Sequence, residues 1–341
     1  MRVKKFKGSL LLILALVLAL GGCGNQAQGG ADNGGSEAKS VKLKISTNVP
    51  PGHIWTQTVN KFKEDVEKQT DGRITVEVFP SSQLGGTNDV VQMLNSGSVD
   101  YAVIPTAFLT SSYPDLNAWF MPFLFEDMED AMKMRGTDES KELLKVFAKD
   151  QNFKGVDWLF TGNHSILMKN GKMDSPEDFK GKKIRAPGTQ AITDLYNALG
   201  ASAVSMPLTE VYSALKTGVV DGINASVNSI ASQKYHEIAN DFTLLNQTAF
   251  NAVVLQSNST NKKLSDSDLE LINNAMKSAV DWGNDEAITE LEENMKKVKK
   301  TDLNIHKVED IKPFLSVKDE IYQKYSEQSD IIKAFIEKAQ D

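Results

Sequence analysis

The chain has 341 residues, with 38 lysines and arginines against 45 aspartates and glutamates, a formal net charge of −7 and a single cysteine. That acidic balance excludes a nucleic-acid partner and a body that itself clings to anionic lipid, and one cysteine excludes an internal disulfide. A chain of this length exceeds one ordinary hydrophobic core, so two domains are expected.

The first element is a leader. Arg2, Lys4, Lys5 and Lys7 precede an unbroken apolar run from Leu10 to Leu20, far shorter than the roughly 20 residues that span a bilayer, so residues 1–22 read as a secretory signal peptide. "LGGC", Leu20 to Cys23, resembles a bacterial lipobox. It predicts that Cys23 becomes the acylated first residue of a lipid-anchored, extracytoplasmic protein on the cell membrane. Residues 23–40 are Gly-rich without apolar periodicity, which predicts a flexible tether. Losing the leader's basic residues makes the mature chain more acidic still.

Strand-like runs then alternate with helical patterns, the mark of an α/β protein with largely parallel pairing. "VKLKIST" (41 to 47) alternates apolar and polar residues; Ile54, Val59, Phe62 and Val66 follow near a 3.6 period; "DGRITVEVFP" supplies a turn and a second strand. Arg73 reads as a solvated residue opening that strand, and Arg135 as a cation at a helix C-terminus before Gly136. "LNSGSVD" (Leu94 to Asp100) and "LKTGVVD" (Leu215 to Asp221) share Leu-x-x-Gly-x-Val-Asp. Gly97 and Gly218 are predicted to end helices in the left-handed conformation, with the valine opening a buried strand. Such an echo suggests two similarly built α/β lobes, and a cleft between lobes is a usual place for a small ligand. From Ser265 to about Lys300 runs a long charged helical pattern broken only by Gly283, and a second helical stretch, about 309 to 339, closes the chain.

Catalytic motifs are missing. There is no Gly-x-Ser-x-Gly elbow, phosphate loop, dinucleotide fingerprint or His-Glu-x-x-His helix, and His53, His164, His236 and His306 lack ligand spacing. No enzyme, cofactor or metal site is therefore expected. Arg185 stands out in "KKIRAPG", where Pro187 ends a short strand. In a chain with only Arg2, Arg73, Arg135 and Arg185 among its cations of this kind, a guanidinium at a strand end suits the bidentate capture of a carboxylate, which lysine cannot match. An inter-strand ion pair is the alternative.

"DGRITVEVFPSSQLGG", "GSVDYAVIP", "MPFLFED", "SPEDFKGKKIRAPG", "LGASAVSMPLTEVYSALKTGVVDGIN" and "QKYHEI" follow, in order, the pattern of the solute receptors of tripartite ATP-independent periplasmic (TRAP) transporters, the DctP type, and the chain resembles that family over nearly all of residues 41 to 341. The resemblance implies a two-lobed, periplasmic-binding-protein-like (type II) fold bridged by a long helix. It implies lobe I at 41–162 plus about 251–290, and lobe II at about 163–250 plus 291–341. It further implies an organic acid held through its carboxylate by Arg185 and handed to TRAP membrane subunits. His164, in "GNH", stands where many relatives place a second arginine, and "INA" (Ile223 to Ala225) replaces their Glu-Asn-Pro. By similar placement Asn48, Thr106, Met206, Leu208, Asn224 and Gln247 would line the pocket. A receptor for an ATP-driven importer or a sensory system, or an exported enzyme on the same scaffold, are the alternatives.

Overall fold

Alternation in the first strand is realised as read: in β1 (Val41–Thr47), Val41 and Leu43 are buried while Lys42 and Lys44 are exposed. The structure is a computed structural model that describes residues 40–149 and 151–341. The leader, Cys23 and nearly all of the tether lie outside the described residues. α1 (Ile54–Gln69) buries Ile54, Val59, Phe62 and Val66 along one face, and β2 (Ile74–Phe79) pairs with β1 in parallel. There follow α2 (Thr87–Ser96), β3 (Tyr101–Pro105), α3 (Met128–Lys133), α4 (Asp138–Lys145) and β4 (Phe153–Met168). β5 (Lys183–Ala186), α5 (Gln190–Ala198), β6 (Ser202–Ser205), α6 (Leu208–Thr217), β7 (Gly222–Ala225), α7 (Val227–Ser232) and β8 (Asp241–Ser257) come next. The chain closes with α8 (Asp266–Val298), β9 (Asn304–Lys307), α9 (Leu315–Gln328) and α10 (Asp330–Gln340).

The strands form one sheet in the order β2-β1-β3-β8-β4-β7-β5-β6, with β9 beside β8. Its two ends are parallel, but β3–β8, β8–β4 and β4–β7 are antiparallel. The expectation of largely parallel pairing therefore fails at the centre. β4 and β8 are 16 and 17 residues long and buried along most of their length, so both faces are covered and no alternation betrays them. Register shifts between Gly155/Asp157, Phe160/Gly162 and His164/Ile166 bend their ladder, as bulges do.

The repeated heptapeptide builds the same corner twice. Gly97 (φ 77°) and Gly218 (φ 79°) cap α2 and α6 in the left-handed region that glycine enters without penalty. Asp100 then clamps the neighbouring strand at two points: its N–H donates to Lys44 O (3.0 Å) and its Oδ2 accepts from Lys44 N (2.9 Å). Asp221 does the same to Lys183, at 2.8 Å for both bonds. Each clamp sets a parallel pair, β1 with β3 and β5 with β7. A second, smaller core around Val211, Leu215, Ile223, Ile230, Tyr235 and Phe242 sits under the second repeat.

α8 runs for 33 residues, about 50 Å at 1.5 Å per residue, and engages both halves. Buried Asn284 accepts from Phe160 N (2.9 Å) and donates to Trp158 O (3.1 Å) of β4, and Asn294 Nδ2 donates to Asn228 Oδ1 of α7 (3.2 Å). Gly283 is explained by contact: a Cβ there would lie 2.0 Å from Thr58 Oγ1 of α1. The final helical stretch is two helices. Ser329 is extended (φ −150°) and its Oγ accepts from Ile332 N to start α10, whose Phe335 packs on Trp119 and Phe125.

Candidate ligand-binding site

Three arginines lie among the described residues, and two are neutralised. Arg73 forks onto Asp268 Oδ1 (2.5 Å) and Oδ2 (3.1 Å), tying the start of β2 to α8. Arg135 forks onto Asp157 through Nε (2.7 Å) and Nη2 (2.6 Å), with Nη1 2.7 Å from Asp281 of α8. Arg135 does sit in the last helical turn before Gly136 and Arg73 does open β2, but the reading of Arg73 as merely solvated is corrected: both arginines form structural ion pairs whose partners are remote in sequence.

Arg185 differs. It lies in β5 between Val204 of β6 and Ile223 of β7 and is only 4 % exposed. Its Nε and Nη2 donate to one carbonyl, Met206 O, at 3.3 and 3.1 Å. Among the described residues no carboxylate forms an ion pair with it. Burial brings its pKa down to about 10, with Tyr235 and Tyr196 opposing the fall, so the group remains a cation at neutral pH. A buried cation without a counter-charge is costly, and a ligand carboxylate would remove that cost.

The guanidinium faces a cavity in which the centre of a water molecule can move through about 40 Å³. Arg185, His164, Asn224, Asn48 and Leu208 line it. Thr106, Met206 and Gln247 are not among its lining residues. Met206 instead supplies the carbonyl that holds Arg185, Gln247 hydrogen-bonds to the Tyr196 hydroxyl one layer behind, and Thr106 Oγ1 is buried without a partner. Sequence reasoning missed His53, Trp55, Tyr235 and Phe250, which also line the cavity. Tyr235 lay within the quoted "QKYHEI", whereas nothing local marked Trp55 or Phe250.

His164 sits where β4 is bulged, with its ring stacked on Phe250 at 4.0 Å and 10°. Its Nδ1 is 2.5 Å from Asn224 Oδ1, and Asn224 Nδ2 donates to the Tyr196 hydroxyl at 2.9 Å. Burial lowers the imidazole pKa to about 3; the Asn224 bond opposes this and the Arg185 charge adds to it. His53 caps α1, its Nδ1 accepting from Trp55 N at 3.2 Å, and burial lowers it to about 4. Both rings are neutral, leaving Arg185 as the one cation lining the cavity among the described residues. Trp55 Nε1 and Tyr235 Oη are buried without hydrogen-bond partners. No group of His, Cys, Asp or Glu able to hold a metal ion occurs among the described residues, and no described helix is long and apolar enough to cross a membrane.

A two-lobed α/β scaffold with shared long strands, a bridging helix and an unneutralised buried guanidinium is that of a solute-binding receptor. The chain belongs to the bacterial extracellular solute-binding proteins, family 7, whose model matches residues 45–328. It is 28 % identical over 241 residues to the C4-dicarboxylate-binding periplasmic protein DctP of Shewanella loihica, covering 71 % of this chain and 70 % of that one. A TRAP periplasmic solute-binding protein from Shewanella oneidensis with bound succinate superposes with a TM-score of 0.83 at 25 % identity, covering 88 % of this chain and 99 % of its own. One from Chromohalobacter salexigens with bound D-glucuronate gives 0.82 at 22 % identity over 88 % and 99 %. Family and fold are those of extracytoplasmic solute receptors, not of enzymes.

Proposed function

We propose that this chain captures a small organic acid between its lobes, with Arg185 taking the carboxylate, and delivers it to the membrane subunits of a TRAP-type transporter. The observation that carries the reading is the isolation of Arg185: it is buried, charged and without the carboxylate that Arg73 and Arg135 each have. A carboxylate arriving there gains charge-assisted hydrogen bonds from the guanidinium. Bound succinate and glucuronate in the two similar structures support an acid as ligand.

The lobes are 41–162 with about 251–290, and about 163–250 with 291–341. Their boundary in β4 falls beside the register shifts at Phe160/Gly162 and His164/Ile166, where bulged backbone can serve as the hinge for closure. The body is held near the membrane by lipid on Cys23, through the tether of residues 23–40. A thermal-shift screen of organic acids tests the binding role, because a ligand at 100 times its Kd adds about 2.7 kcal/mol of stability. Small-angle scattering with an acid so found should show a smaller radius of gyration. A screen in which no acid raises the unfolding temperature contradicts the reading. Cys23→Ala expressed in a bacterial host should move the protein to the soluble fraction, and unchanged membrane retention would contradict the anchor.

A further inference from the structure

We propose that the ligand is a small monocarboxylate with an apolar carbon body, and that His164 is a specificity-determining residue that excludes a second carboxylate. This rests on the receptor reading and narrows it.

Arg185 is the only cation among the described residues lining the cavity, and no described lysine joins it. His164, the polar side chain stacked on Phe250 and bonded through Nδ1 to Asn224, is held among neutral groups with a guanidinium nearby. That setting opposes a positive charge on the ring. A ligand with two carboxylates would leave one desolvated without a cation, whereas one carboxylate is matched by one guanidinium. No aspartate or glutamate lines the cavity among the described residues either, so the ammonium group of an amino acid would also be uncompensated.

The walls point the same way. Trp55, Phe108, Leu208, Val211, Ile223 and Phe250 are six of the seventeen described lining residues and form its apolar walls. A sugar acid would press its ring hydroxyls against these surfaces, and each hydroxyl buried without a partner is penalised. Among the fully buried polar atoms of the lining, Trp55 Nε1 and Tyr235 Oη lack partners and are suited to the carboxylate's remaining lone pairs, and Asn48 Oδ1 is also unpartnered.

The test is calorimetric titration of the refolded wild-type protein, stripped of carried-over ligand, with pyruvate, lactate, 3-methyl-2-oxobutanoate, valine, succinate and glucuronate. At least one of the three short monocarboxylates should bind about 30-fold or more tightly than succinate, glucuronate or valine, the factor expected for about 2 kcal/mol of uncompensated burial. His164→Gln, which stays neutral and can still bond Asn224, should keep that order, while His164→Arg should narrow or reverse the preference over succinate. Binding of succinate or glucuronate that is at least as tight, and is lost in Arg185→Ala, overturns this proposal and leaves the receptor reading standing. If none of the six binds to the folded wild-type protein, both fall. Should His164→Arg fail to fold, the wild-type and His164→Gln rankings decide alone.

Discussion

The two repeated corners of the sheet have the same frame and different chemistry. In the first, the Asp100 clamp sets Ile45 opposite Tyr101 and Ser46 opposite Ala102. In the second, the Asp221 clamp sets Ile184 opposite Gly222 and Arg185 opposite Ile223. Counted from the clamped lysine, Arg185 occupies the place of Ser46. The first half spends its arginines on carboxylates, Arg73 with Asp268 and Arg135 with Asp157 and Asp281. The second half keeps one unspent. Repetition thus fixes where strands lie, and a single side-chain difference decides which half receives charge.

Perturbing the clamps and the arginines sharpens that contrast. The largest effect is expected at Asp100, which is 1 % exposed and also accepts from Thr260 Oγ1 (2.9 Å) and Lys263 Nζ (2.7 Å). Asp100→Ala should cost about 3 kcal/mol in denaturant unfolding. Asp221 makes the same clamp at a less buried site, so Asp221→Ala should cost about 1 kcal/mol. Equal costs would mean that burial does not distinguish the two corners.

Arg135→Ala should cost about 2 kcal/mol, since it strands Asp157 and Asp281 in a partly buried site. Acid provides a smaller, graded test. Because His53 and His164 have pKa values of about 4 and about 3 when folded, below the ordinary value near 6.5, protons favour the unfolded chain. Stability is then full above about pH 6.5 and falls as the pH drops through that value, by up to roughly 2 kcal/mol per histidine at pH 5. His53→Asn, which can still cap α1, should flatten the profile between pH 6.5 and 5. An unchanged slope would mean that His53 is not kept neutral by burial.

Much of this frame could be read from the chain. The 3.6 period of Ile54, Val59, Phe62 and Val66, the left-handed glycines 97 and 218, and the long run that became α8 are local patterns with local causes. Legibility failed wherever the cause was distant. β4 and β8 are covered on both faces, so their sequence shows no period. The partners of Arg73 and Arg135 lie on other elements, and the break at Ser329 depends on a hydroxyl cap inside a continuous helical pattern. For the site, Arg185 was legible because arginine is rare here and its strand ends at proline. His164, Asn224, Asn48 and Leu208, which the resemblance put forward, line the cavity. Trp55 and Phe250 reach it only through the packing of α1 against the middle of β8, which no short motif announces.

The central claim is that Arg185 waits for a carboxylate. Titration of Arg185→Ala and Arg185→Lys with the tightest-binding acid of the wild type, paired with thermal unfolding of the ligand-free variants, tests it most directly. The account predicts an affinity loss of about 30-fold or more for alanine and a smaller loss for lysine, which keeps the charge but not the fork. It also predicts ligand-free stability equal to or above that of the wild type, because an uncompensated buried cation has been removed. Wild-type affinity in Arg185→Ala, together with a lowered ligand-free unfolding temperature, would make Arg185 a structural residue and contradict the account.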